Sequence, residues 1–171
     1  DYTSVELEAG KLYPIRVEFH EYHNDADIRL VWSPPRPDYE QEAVRVARQA
    51  DAVILVLGLS PRLEGEEMKV EVEGFKGGDR VSLDIPKVQE SLLRRIVQVG
   101  KPVVLVSMSG SAVSLNWAKE HVPAIVQLWY PGQTGGAALA DVLFGDANPG
   151  GRLPLTFYRS ENQIPAFDDY A

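Results

Sequence analysis

The spacing of hydrophobic residues changes part-way along the chain. From Tyr2 to Trp32 apolar and polar residues alternate. "VELEAGKLYPIRVEFHEY" predicts two strands around a turn at Ala9-Gly10-Lys11, and "DIRLVW" a third, because a period of two sends successive side chains to opposite faces. The alternation ends at "SPPRP", residues 33–37, where successive prolines can neither donate to a ladder nor sit inside a helix. A boundary is expected there, with residues 1–36 a short antiparallel segment too small to be a domain and residues 37–171 the main domain.

Beyond the boundary the period becomes helical. "DYEQEAVRVARQA" brings Ala43, Val44 and Ala47 onto one face, and the short apolar run "AVILVLGL" follows, rich in β-branched residues, as in a strand buried on both faces. The cycle repeats: a helix over "PKVQESLLRRIVQV" with Val88, Leu92, Leu93 and Ile96 aligned and Gly100 at its end, a strand "PVVLVSMS", a short helix over 116–120, a strand "AIVQLWY" and a helix "GGAALADVLFG". Strands alternating with helices predict an α/β fold: a mainly parallel sheet, including 52–58, 102–108 and 124–129, flanked by helices, with the antiparallel segment at the N-terminus. In open sheets of this kind ligands gather beyond the carboxyl ends of the strands. The longest connection, Ser60 to Ile85, leaves such an end, and structureless connections beyond about 12–15 residues are often functional.

That connection is acidic: Glu64, Glu66, Glu67 and Glu71 crowd its first half. Carboxyl groups serve as general acid, base, nucleophile or metal ligand, and neighbouring carboxylates raise one another's pKa, which keeps a glutamate protonated near neutral pH. A solvated acidic loop would look the same in composition. The order of a dedicated calcium loop, D-x-[DN]-x-[DN]-G, is missing, and Asp79 with Arg80 reads as a structural pair or a helix N-cap. Elsewhere the chemistry is thinner. His20 and His23 fall on opposite faces of an alternating strand and so do not form a metal pair. "SMSGS", Ser107 to Ser111, lacks the G-x-S-x-G frame of a nucleophile elbow, and His121 has no evident Asp partner. "PGQTGG", Pro131 to Gly136, has no phosphate-loop order, so its glycines read as tight strand-to-helix packing. Trp129 and Tyr130 end a strand, as core caps or as a wall of a sugar site, with core the reading taken. No cofactor and no metal is called for.

Composition narrows the partners. The formal net charge is -8 over 171 residues and the Lys and Arg residues are scattered, which argues against a grip on nucleic acid or on an anionic membrane surface. A neutral or polar partner fits better. The chain has no cysteine, which excludes disulfides, thiolate metal sites and cysteine nucleophiles but assigns no compartment. No apolar run approaches the about 18 residues of a membrane span. The opening residue is Asp1 rather than Met, so an internal fragment or a processed product is expected.

A resemblance adds roles. "GLSPRLEGEEM", "GGDRVSLDIPKVQESLL", "KPVVLVSMSGSAVSL" and "PAIVQLWYPGQTGGAALADVLFGDANPGGRLPLTF" occur in the order of the signatures of glycoside hydrolase family 3, in its α/β-sandwich domain, and run from about Asp51 to Phe157. The front segment, "LEAGKLYPIRVEFHEYHNDADIRLVWSPP", is similar to the last strands of a PA14 β-sandwich, which some members carry inserted just before this domain. The resemblance implies a retaining exo-acting β-glycosidase, most often a β-glucosidase, whose nucleophile is an aspartate on a preceding barrel domain and whose acid/base is a glutamate on a sandwich-domain loop, in a G-E-G or E-x-E-G setting. Matched to "LEGEEM", that setting implies Glu66 as acid/base, with Glu64 as the alternative; the literal E-x-E-G from Glu71 to Gly74 keeps Glu73 as a third candidate. Asp79 and Arg80, in "GGDR", match the turn that shapes the loop. The inserted "KVEVEGFK" makes the loop longer than in compact members. The implied partners are a β-glucoside or related oligosaccharide and the barrel domain, which residues 1–171 lack; the chain would end where the family continues towards a fibronectin-like domain, and alone it would be inactive. The rival is a non-catalytic carbohydrate-binding or scaffolding module whose acidic loop offers hydrogen-bond acceptors to sugar hydroxyls.

Overall fold

The structure is a computed structural model and describes residues 5–18, 38–65, 67–166 and 168–169. The chain divides into two compact units, Asp1–Arg36 and Pro37–Ala171. In the first, the turn forms where Gly10 takes a positive φ of 80° and the Lys11 N–H donates to the Glu8 carbonyl at 3.2 Å. The residues around it, 5–8 and 11–18, are exposed and form no strand among the described residues. Val5, Leu7, Ile15 and Val17 alternate as expected but stay exposed, and so short a stretch without a covered face does not hold as a sheet. "DIRLVW", His20 and His23 lie outside the described residues.

The second unit carries the α/β architecture. Helix α1, Tyr39–Gln49, starts at Asp38, whose carboxylate accepts from the Gln41 N–H as an N-cap should. Strand β1, Val53–Gly58, follows, and the long connection contains a two-residue-per-strand hairpin, β2 at Phe75–Lys76 and β3 at Asp79–Arg80. Then come α2, Lys87–Val97; β4, Val103–Met108; α3, Asn116–His121; β5, Ala124–Gln127; and α4, Gly135–Phe144, closed by Gly145 in the left-handed region. The sheet order is β1-β4-β5 with both pairings parallel, Val53 opposite Val103 and Val104 opposite Ala124. Each expected strand and helix of this unit is present within a few residues.

Two apolar clusters hold it, a small one of Leu59, Ile85 and Val113 and a larger one against the sheet. Val44 and Ala47 of α1, Leu93 and Ile96 of α2, Val103 and Leu105 of β4, and Ala118 of α3 form a continuous buried cluster, so three helices share one side of the sheet. Full burial of a leucine or isoleucine side chain is worth about 1.5–3 kcal/mol, so this layer supplies the main driving force. Two expectations need correcting. Val88 marks one edge of the apolar stripe of α2, about 140° round the helix from Leu93, and is 73% exposed because the sheet covers the Leu93 edge. In β1, Ile54 and Val56 are about half exposed at 49% and 50%: β1 is an edge strand of the described sheet, and only its Val53, Leu55 and Leu57 side meets the helices.

Candidate active site

The long acidic connection is launched by backbone chemistry at the end of β1. Gly58, at φ 134°, sits where a Cβ would fall 1.9 Å from the Met108 carbonyl oxygen, so no other residue fits. Its N–H and C=O are both taken by the side-chain amide of Gln89 on α2, at 2.7 and 2.8 Å. The chain then curls: the N–H groups of Leu63 and Glu64 both donate to the Ser60 carbonyl, at 2.8 and 3.0 Å. This curl carries Glu64 back over the carboxyl ends of β4 and β5.

There Glu64 meets three donors. Its Oε2 accepts from the Gly110 N–H at 2.8 Å and from the Tyr130 hydroxyl, and its Oε1 accepts from the Ser111 hydroxyl. Gly110 and Ser111 follow β4; Tyr130 follows β5. Arg80 completes the group. It forks through Nε and Nη2 to the Ser82 carbonyl, at 3.1 and 2.7 Å, and through Nη1 reaches the Ala112 carbonyl at 2.5 Å and Ser111 Oγ at 2.8 Å. Burial pushes the Glu64 carboxyl up, but the Ser111, Tyr130 and Gly110 donors and the Arg80 charge outweigh it and hold the pKa below the ordinary value. Burial, together with the Glu64 carboxylate it serves, raises the Tyr130 phenol, so that hydroxyl stays a donor.

The hairpin fixes the other side of the loop. Gly77 and Gly78 have φ of 63° and 93°, both positive, as a two-residue I′-type connection requires. Gly78 is buried, and a Cβ there would fall 1.6 Å from the Gly65 carbonyl oxygen. The hairpin turn therefore lies directly against the residue between Glu64 and Glu66. A second strap closes the exit: Glu161, on a 3₁₀ turn at Glu161–Gln163, accepts from the Leu83 N–H at 2.6 Å and Ser82 Oγ at 3.0 Å.

Among the sequence candidates, then, Glu64 and Arg80 are brought together. Asp79 is exposed on β3 opposite Lys76 and does not partner Arg80, whose donors go to backbone carbonyls and Ser111; the expected Asp79–Arg80 pair is replaced by an Arg80–Ser111 contact. Neighbours along a strand point to opposite faces, so the two side chains cannot meet. Glu67 and Glu71 are exposed. Glu73 is 71% exposed and pairs with Lys87 at the start of α2, away from the Glu64 cluster. Glu66 lies outside the described residues. His121 stacks on Trp117, with ring centroids 4.3 Å apart, and its Nδ1 contacts the Trp117 carbonyl, so it serves α3 rather than a hydrolase triad.

Sequence reasoning missed Gly110, Ser111 and Tyr130. "SMSGS" is a docking point for an acid, which an elbow template cannot register, and Tyr130 is half-buried at the rim instead of capping the core. No spacing in the sequence signals them; the structure itself marks the place by Trp129, a bulky residue at φ 60°, since such outliers occur where the surroundings over-determine the backbone.

Comparison with known proteins agrees with this architecture. The glycosyl hydrolase family 3 C-terminal domain matches residues 6–171. A xylan 1,4-beta-xylosidase of Xylanibacter ruminicola is 46% identical over 171 residues, 99% of this chain and 20% of that protein. A periplasmic beta-glucosidase of Salmonella typhimurium is 40% identical over 126 residues, 74% of this chain and 15% of that protein. Among solved structures, a Bifidobacterium adolescentis GH3 beta-glucosidase superposes with a TM-score of 0.67 at 36% identity, over 81% of this chain and 19% of that one. A Kluyveromyces marxianus beta-glucosidase in complex with glucose gives 0.66 at 32%, over 80% of this chain and 15% of that one. The chain thus spans about a fifth or less of each of these proteins, and it belongs to glycosyl hydrolase family 3, within that family's C-terminal domain.

Proposed function

We propose that this chain is the acid/base-bearing part of a retaining exo-β-glycosidase that removes terminal non-reducing β-D-glycosyl residues. The observation that carries the reading is the pinning of an acidic loop, through Glu64, onto the carboxyl ends of two parallel strands, the edge where such sheets bind ligands. On this reading Glu66 is the acid/base, Asp79 and Arg80 shape its loop, and the nucleophile comes from a barrel domain outside residues 1–171. Glu64 is the alternative acid/base. Its depressed pKa counts against it, since a general acid must hold its proton near the working pH. Residues 1–36 are the end of a PA14-like β-sandwich and residues 37–171 the sandwich domain.

Retaining hydrolysis uses two carboxyl groups about 5–5.5 Å apart across the glycosidic bond, one attacking and one protonating. Half of that pair cannot complete the cycle. The isolated chain is therefore expected to turn over neither aryl β-glucosides nor aryl β-xylosides. The substrate is a β-glucoside or a related glycoside; the match to a xylan 1,4-beta-xylosidase over nearly the whole chain makes a β-xyloside the second one to assay. In the full-length enzyme, Glu66→Ala is expected to slow hydrolysis of unactivated glycosides by about 10²–10⁴, the usual worth of general acid–base help. Sugar affinity lost with turnover unchanged would favour the carbohydrate-binding module.

A further inference from the structure

We propose that Glu64 is the positioning residue of the acid/base loop: its carboxylate, gripped by the Gly110 N–H and the Ser111 and Tyr130 hydroxyls, fixes where the loop presents Glu66. The inference rests on the reading of Glu66 given above and concerns how that residue is aimed.

The geometry assigns the role in three steps. First, every polar group that faces Glu64 donates. The Arg80 guanidinium donates into Ser111 Oγ, which leaves the serine proton free to go to Glu64. The Ser111 carbonyl in turn accepts from Ser109 Oγ at 2.6 Å, and Ser109 Oγ accepts from Gln127 Nε2 at 3.1 Å, so the grip is rooted in β5 and in the fully buried Ser109. A protonated Glu64 could keep these contacts only by reversing the Ser111 or the Tyr130 hydroxyl from donor to acceptor. It is built to remain an anion and to hold, not to hand a proton to a departing oxygen.

Second, Gly65 is clamped from both sides. Its predecessor is tied to the strand ends, and its own carbonyl lies against Gly78 of the hairpin turn so closely that not even a methyl group would fit. Gly65 is thus held on both sides, and Glu66 is the next residue in sequence. Third, the fold stores backbone strain to complete the clamp. Trp129 adopts φ 60°, which delivers the Tyr130 hydroxyl to Glu64 while the indole packs edge-on against Phe157 at 5.9 Å. A non-glycine residue in that region is strained and persists where its surroundings demand it.

The test uses the full-length enzyme with unactivated and activated glycosides. Glu64→Gln keeps the size but removes the negative charge and obliges the Ser111 hydroxyl to turn from donor to acceptor. Its kcat on unactivated glycosides is expected to fall by about 10–100-fold, the scale of a misplacement near 1 Å, with KM within about threefold. Because the grip acts as one unit, Glu64→Gln/Tyr130→Phe should be little worse than Glu64→Gln alone. The alkaline limb of the pH profile of kcat/KM should persist in Glu64→Gln, since the titrating acid is still there, and vanish in Glu66→Ala. Loss of the limb in Glu64→Gln overturns the proposal, because Glu64 would then be the acid. So does a wild-type kcat, or a loss that is equal for all leaving groups and tracks the melting temperature. If Glu66→Ala keeps both rate and limb, the acid/base reading fails instead, whatever Glu64→Gln does. Should Glu64→Gln not fold, Tyr130→Phe, which removes one donor, is expected to lower kcat about 3–10-fold at unchanged KM, and an unchanged kcat there overturns the proposal.

Discussion

Replacing Arg80 by Met should loosen the long loop without touching the hydrophobic layer. The guanidinium serves two carbonyls, of Ser82 and Ala112, and the Ser111 hydroxyl, and Met can serve none of them. A charge-assisted hydrogen bond contributes about 1.5–3 kcal/mol when fully desolvated. Arg80 is only half-buried, and its two bonds to Ser82 share one acceptor, so about 1 kcal/mol per acceptor is the better figure, or about 2–4 kcal/mol in all. At about 2–4 °C per kcal/mol for a chain of this size, Tm should fall by about 5–15 °C, read by circular dichroism melts of the 171-residue chain. Arg80→Lys is the control: a point charge cannot reproduce the fork and should recover about one acceptor's worth. A Tm for Arg80→Met within about 2 °C of wild type, or an Arg80→Lys variant indistinguishable from it, would refute the reasoning.

The remaining expectations follow from burial, turn geometry and proton linkage. Leu93→Ala, at 1% exposure, should cost about 2–5 kcal/mol in urea unfolding, whereas Val88→Ala, at 73%, should cost under about 0.5, although both belong to one apolar stripe. Gly77→Asn should be nearly neutral, because asparagine tolerates positive φ and the site is open; Gly78→Ala should cost more than about 1 kcal/mol, because its Cβ meets the Gly65 carbonyl. Equal effects at the two glycines would contradict this. The Glu64 carboxyl is held below its ordinary value, so its contribution is complete above the unfolded pKa of about 4.3 and is lost as pH falls through the folded value. Urea midpoints measured from pH 7 to pH 3 should therefore decline more steeply below about pH 4.5 for wild type than for Glu64→Gln; parallel curves would count against the anionic clamp.

The α/β part of the fold was legible because its signals are local. Period changes, β-branched runs and the prolines at 33–37 each follow from a few neighbouring residues, and β1, β4 and β5 fall where the apolar runs do. What stayed hidden depends on neighbours distant in sequence. Val88 and Leu93 mark opposite edges of one apolar stripe, and only the tertiary packing decides which edge is covered. The Glu64 cluster joins residues 46 to 66 positions apart, which no spacing rule encodes. Arg80 looked like the partner of Asp79 because adjacency is visible in sequence, while strand alternation turns the two apart. The acidic loop itself was legible as a site candidate, through its length and position.

The most direct test of the central claim is the product formed by Glu66→Ala in the full-length enzyme when azide is added to an activated aryl β-glycoside. A good leaving group departs without an acid, so the glycosyl-enzyme should form and then wait for a base to activate water. Azide needs no base and attacks the face from which the aglycone left. The account predicts restored turnover with a β-glycosyl azide as product, identified by NMR; turnover indifferent to azide, with free sugar alone released at the wild-type rate, would contradict it.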